Sequence, residues 1–153
     1  MKKLIIKLIV LFSMILCASC NYAPISPFAE IPDPSLPEIA MIRADPNWGT
    51  VVIYNPDTCI KIGEACGFFR LHAYAHRHLN HTLLATPSAY PVSQETQADC
   101  WAAKYGKSNE VFAATKLLLA ENRDSKIKLH GDLNKRAENI QNCATQAGKW
   151  REN

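Results

Sequence analysis

The sequence is short of most features that would tie it to a membrane span or to a nucleic acid. The apolar run from Leu8 to Leu16 is too short to cross a bilayer comfortably. No basic patch of the kind that nucleic acid demands is present, which excludes nucleic acid as a partner. Internal repeats and low-complexity tracts are absent. The net charge is only +3, from 17 basic and 14 acidic residues. Three of those lysines, Lys2, Lys3 and Lys7, precede the apolar run, so the remaining chain is balanced at 14 against 14.

What stands at the start reads as an export signal. A lysine-bearing segment leads into the short apolar run and ends in "CASC", with Ala18 and Ser19 before Cys20. This resembles a bacterial lipobox, with Cys17 where leucine is usual. The resemblance implies that residues 1–19 are a lipoprotein signal peptide and that Cys20 carries the lipid. Asn21 is not the aspartate that marks inner-membrane retention. The expected location is therefore the bacterial cell envelope, on an outer-membrane anchor facing the periplasm.

Six of the nine prolines fall between Asn21 and Asn47. Proline fixes φ and removes a donor, so residues 20–38 read as a stiff tether and the domain as 39–153. That domain holds Cys59, Cys66, Cys100 and Cys143. Four cysteines in an exported chain read as two disulfides. Among the three pairings we favour Cys59–Cys66 with Cys100–Cys143, because the others cross-link the histidine helix to the distant C-terminal helix. These four contain no C-x-x-C pair, which argues against a thiolate metal site.

Periodicity supplies the elements. Thr50 to Ile53 is a β-branched run between Gly49 and Pro56 and predicts a strand; "TCIKIG" reads as a second short one. From Glu64 to His81, Phe68, Leu71, Ala75 and Leu79 recur at helical spacing. "TLLATPSAYPVS" breaks the pattern and reads as a loop. Three further helices follow. The first is capped by Ser93, the second by Ser108, and the third carries Leu133, Ala137, Ile140, Ala144 and Ala147 and ends at Gly148. The expected fold class is α+β, mostly helical, with a small sheet beside the histidine helix.

Four of the five histidines, His72, His76, His78 and His81, lie within ten residues. His72 and His76 are i and i+4, so one helix face presents both rings to a single ion. His78 and His81 point elsewhere, although His81 could approach the mouth of such a site. In the next helix Glu95 and Asp99 are again i and i+4.

"FFRLHAYAHRHLNHTL…QETQADCWAAKYG" resembles a set of small exported bacterial proteins of the gluzincin type of zinc metallopeptidase, over about residues 50–145. The resemblance implies a zincin-like domain in which Zn2+ is held by His72, His76 and Glu95, with Asp99 bracing a histidine. "HGDLNKRAENIQNC" is similar to a further segment of membrane-associated gluzincins, and adds His130 and Arg136 as candidates lining the site. Gly131 stands there in place of proline. Trp101 reads as helix packing and Cys100 as structural.

One departure bears on chemistry. The family motif is H-E-x-x-H, and Ala73 stands in place of its glutamate. In zincins that carboxylate takes the proton of metal-bound water and passes it to the leaving amine. A general base of this kind contributes about 10²–10⁴ in rate. The expected function is therefore a membrane-anchored, zinc-binding, metallopeptidase-like protein with impaired catalysis, whose ligand is a protein or peptide. Two alternatives remain open: an active peptidase with another base, and a metal-free structural lipoprotein stapled by disulfides.

Overall fold

The computed structural model describes residues 29–81, 90–121 and 131–150. Among these residues the elements are β1 (Glu30–Pro32), β2 (Ala40–Asp45), β3 (Gly49–Tyr54), α1 (Pro56–Ile62), α2 (Ala65–His78), α3 (Val92–Tyr105), α4 (Ser108–Glu121) and α5 (Leu133–Gln146). The class is α+β and mostly helical. No described helix is long and apolar enough to cross a membrane.

The sheet has the order β1-β3-β2. β2 and β3 form an antiparallel hairpin with Ile42 opposite Val52 and Asp45 opposite Gly49. Asp45 Oδ1 accepts from the backbone N–H groups of Asn47 and Trp48, and Gly49 follows at φ 73°, the left-handed geometry this tight return requires. β3 is covered on both faces. Val51 and Ile53 pack with Leu36 on one side, and Val52 packs with Ile42 and Ala73 on the other. A strand buried on both faces reads as a continuous apolar run rather than an alternating one, which is why "TVVI" was legible.

The fold begins before Ile39, where the sequence predicted a tether. β1 runs parallel to β3, with Ile31 opposite Ile53. Asn55 Nδ2 donates to the carbonyls of Pro34 and Leu36, at 3.2 and 2.7 Å. Glu30 pairs with Arg70 of α2. Proline is tolerated in β1 because this is an edge strand.

"TCIKI" is also not a strand. Asn55 caps α1, its Oδ1 accepting from Thr58 N–H at 2.9 Å, and Pro56 opens the helix. That cap, with Asp57 in the first turn, overrides the β-branched composition. Ser93 likewise lies inside α3, which starts one residue earlier after Pro91.

The main core lies between α2, α3, α4 and α5. Its buried members are Ile39, Ala65, Phe68, Phe69, Ala102, Ala103, Val111, Ala114, Leu118, Ala137, Ile140 and Ala144, half of them alanine. Small side chains let helices approach closely, and Phe68 and Ile140 fill the space left. The one glycine of α2, Gly67, lies against the Glu110 carboxylate of α4, which an added Cβ would strike. Two disulfides fasten this layer. Cys59–Cys66 joins α1 to α2, and Cys100–Cys143 joins α3 to α5 across 43 residues. This is the favoured pairing.

Candidate metal centre

α2 turns one stripe toward α3, and that stripe carries both motif histidines. His72 and His76 are buried, at 9% and 3% exposure, like most of α2, of which only Arg77 and His78 at the C-terminal end are exposed. An unpaired imidazole is costly to bury, so each ring nitrogen needs a partner.

α3 supplies it. Glu95 Oε2 lies 3.3 Å from His72 Nε2, and Glu95 Oε1 lies 3.4 Å from His76 Nε2. The two Nε2 atoms are 3.0 Å apart. All three ligand atoms fall within 4.8 Å of one another, and His72, His76 and Glu95 can together hold a metal ion. Geometry supports the fit. A tetrahedral ion with bonds of about 2.0–2.1 Å spaces its ligands about 3.3 Å apart. Two imidazoles and one carboxylate also make a donor set suited to a borderline-soft divalent ion.

Behind the ligands stands a charged brace. Asp99 is fully buried, and its Oδ1 lies 2.8 Å from His72 Nδ1. At that distance the Asp99 carboxylate is in ion-pair contact with the His72 ring. Arg136, from α5, grips Asp99 with both arms: Nε donates to Oδ2 at 2.8 Å and Nη2 to Oδ1 at 2.7 Å. The same Nη2 lies 3.8 Å from Glu95 Oε2.

These neighbours set the protonation states. Burial pushes the Asp99 carboxyl up, but the Arg136 charge and hydrogen bonds outweigh it and hold Asp99 below the usual range. Burial likewise opposes a charged Glu95, yet His72, His76 and Arg136 keep its carboxyl well below the ordinary value. For His72, burial favours the neutral ring, and the Asp99 charge overcomes it and raises the pKa. For His76 burial prevails and the pKa falls, leaving a nitrogen lone pair available near neutral pH.

The position of the motif glutamate is occupied by packing. Ala73 is 2% exposed and lies against Ile42 and Val52 of the sheet. The two carboxylates of the centre are already committed, Glu95 to the ligand triad and Asp99 to Arg136. Glu64 bonds Asn109 Nδ2 at 2.7 Å, on another face of the molecule. His78 is exposed and stands with Tyr74 and Trp101, apart from the ligands. Trp101 packs on Tyr74 and Tyr105 along the outer edge of α2 and α3.

The structure thus gathers His72, His76, Glu95, Asp99 and Arg136, while His130 and Cys20 lie outside the described residues. Two neighbours, Tyr90 and Gln97, escaped the sequence reading, and a third was only partly foreseen. His81 turns inward and contacts His76 rather than merely approaching the mouth. Tyr90 stacks on His76 with ring centroids 3.9 Å apart. Gln97 reaches His81. The asparagine before His81 was the available signal, because asparagine often ends a helix and turns the chain back.

No family model, curated protein or solved structure matches the chain.

Proposed function

We propose that this protein is a zinc-binding, metallopeptidase-like protein of the bacterial envelope, anchored by a lipid on Cys20 and impaired in hydrolysis. The observation that carries the reading is the convergence of His72 Nε2, His76 Nε2 and a Glu95 carboxylate at tetrahedral-edge separations. The two-helix arrangement of H-x-x-x-H and E-x-x-x-D, with Asp99 behind His72, is what the likeness to gluzincins implies. Bound zinc would supply Lewis acidity toward a carbonyl oxygen and acidify a water. The residues would do the rest. His72, His76 and Glu95 hold the ion, and Asp99 with Arg136 fixes the His72 ring.

Ala73 has no group to accept a proton. A site that polarises a carbonyl but cannot move its protons suits binding of a protein or peptide segment better than turnover. The reading is tested by measuring zinc content after dialysis of the full chain against the metal. About one equivalent is expected in the native protein, and His76→Ala should lose it. A native protein that stays metal-free would sink the proposal. Rapid chelator-sensitive proteolysis by the Ala73 protein would instead refute the impaired chemistry. For the anchor, uptake of labelled palmitate should disappear in Cys20→Ala.

A further inference from the structure

α2 ends in a particular way. Leu79 is the cap, and Asn80 follows in the left-handed region at φ 54°. The Asn80 N–H bonds the Arg77 carbonyl at 3.2 Å, and the His81 N–H bonds the His76 carbonyl at 2.9 Å. This pair of bonds is the Schellman motif. In that motif the residue after the left-handed one folds back onto the residue five positions earlier, and an apolar contact usually fills the place. Here both residues are histidines. Their ring centroids are 5.0 Å apart, and Nδ1 of His81 lies 3.0 Å from Nδ1 of His76. His81 is buried at 9% exposure.

Two ring nitrogens at 3.0 Å that do not face a shared ion, as these two do not, must share one proton, one donating and the other accepting. The far side of His81 decides which. Its Nε2 faces Gln97 Oε1 at 3.4 Å, and a carbonyl oxygen only accepts. His81 therefore carries its proton on Nε2 and presents a bare Nδ1 to His76. His76 must then carry its own proton on Nδ1. Its Nε2 is left bare, and that is the atom facing His72 and Glu95.

We propose that His81, oriented by Gln97, is the positioning residue that holds His76 in the tautomer with Nδ1–H and a free Nε2 lone pair. The inference rests on the reading of His76 as a metal ligand. The two ligand histidines are then braced differently. His72 has an anionic partner in Asp99, backed by Arg136, whereas His76 has a neutral imidazole backed by an amide. A carboxylate brace makes a ligand imidazole more basic than a neutral one does. The centre is thus asymmetric by construction, with the firmer donor on the Asp99 side.

The test uses the full chain labelled with 15N at histidine. Long-range 1H–15N spectra report the tautomer of each ring, in the zinc-loaded and in the chelator-treated protein. His76 is expected as the Nδ1–H form in both; an Nε2–H form would overturn the proposal. Zinc affinity is then measured by competition with a chelating dye. His81→Phe keeps the ring and removes the acceptor, and should weaken zinc by about 10- to 100-fold, as loss of a supporting partner typically does. His81→Asn places a carbonyl oxygen where Nδ1 stood and should restore most of the affinity. A structural role for His81 predicts the opposite ranking, because phenylalanine fills the site better than asparagine, and that ranking would also overturn the proposal. Should His81→Phe fail to fold, Gln97→Leu leaves His81 in place and should give a mixture of His76 tautomers. Gln97→Glu should preserve the native one. If the native chain shows the Nδ1–H form, loses it in His81→Phe and yet takes up no zinc, the relay stands and the metal reading falls.

Discussion

Asp99 and Arg136 meet in the interior as a two-pronged pair, at 2.7 and 2.8 Å, with Asp99 wholly removed from solvent. They come from α3 and α5, so the pair fixes the brace of His72 and the packing of two helices at once. Breaking such a pair from one side is costly because the other charge stays buried. Arg136→Met should destabilise the metal-free protein by about 3–5 kcal/mol. Adding Asp99→Asn to it should recover part of that loss. Urea denaturation of both variants in the presence of a chelator measures the difference.

The same pair sets an acid limit. Arg136 holds the Asp99 carboxyl below its ordinary value of about 3.9. A depressed folded-state pKa means that the unfolded chain binds the proton first, so the pair's stabilisation is complete above the unfolded value. It is lost as pH falls through the folded value. Stability of the metal-free protein should therefore fall steeply only below about pH 4. Arg136→Met should begin its decline at higher pH, and an acid titration followed by circular dichroism shows the shift.

The bond Cys100–Cys143 lies next to Asp99 in sequence and joins the same two helices. Its 43-residue span includes residues 122–130, outside the described structure. Closing a loop of that length typically stabilises by about 2–4 kcal/mol. A Cys100→Ala, Cys143→Ala double variant should lose stability in that range and also bind zinc more weakly, since α5 would no longer be pinned behind His72. The shorter Cys59–Cys66 bond fastens α1, away from the ligands. A Cys59→Ala, Cys66→Ala variant should lose stability and keep its zinc affinity.

Asn80 carries the turn that brings His81 to His76. A non-glycine residue at positive φ is tolerated for asparagine and costly for a β-branched side chain. Asn80→Val should cost about 1–2 kcal/mol in thermal stability and lower zinc affinity, because His81 would no longer fold back. Asn80→Gly should match or exceed the native stability, measured by the same melts.

The parts of this centre that were legible in the sequence are those carried by helical periodicity. His72 and His76, Glu95 and Asp99 each repeat at i and i+4, and a helix converts that spacing directly into a shared face. Arg136 was legible as a candidate only through a resemblance, since nothing local says that α5 crosses behind α3. β1 was missed because its pairing with β3 is non-local and its prolines suggested a tether. α1 was not legible because the threonine and two isoleucines of "TCIKIG" favour a strand, whereas the helix is set by the Asn55–Pro56–Asp57 cap before them. His81 and Gln97 depend on a backbone turn and a generic amide, neither of which periodicity can reveal. The ordering of information is physical: local hydrogen-bond patterns leave a sequence trace, and contacts across the core do not.

Ala73 separates holding a metal from using it, and its surroundings make the separation testable. Its methyl is packed against Ile42 and Val52, so Ala73→Glu must push a carboxylate against the face of the sheet. Overpacking of that kind costs about 1–3 kcal/mol, and the variant should melt at a lower temperature than the native protein. The ligands His72, His76 and Glu95 are untouched, so zinc content should remain near one equivalent. If the new carboxylate reaches metal-bound water, chelator-sensitive cleavage of an unfolded protein substrate should rise by about 10²–10⁴ over the native chain, the usual contribution of a general base. A Glu95→Gln, Ala73→Glu double variant should lose that gain together with the zinc. Zinc retention without any gain in cleavage would mean that the packing of β2 and β3 on α2 keeps position 73 out of the site. The protein would then be a binder by architecture as well as by sequence.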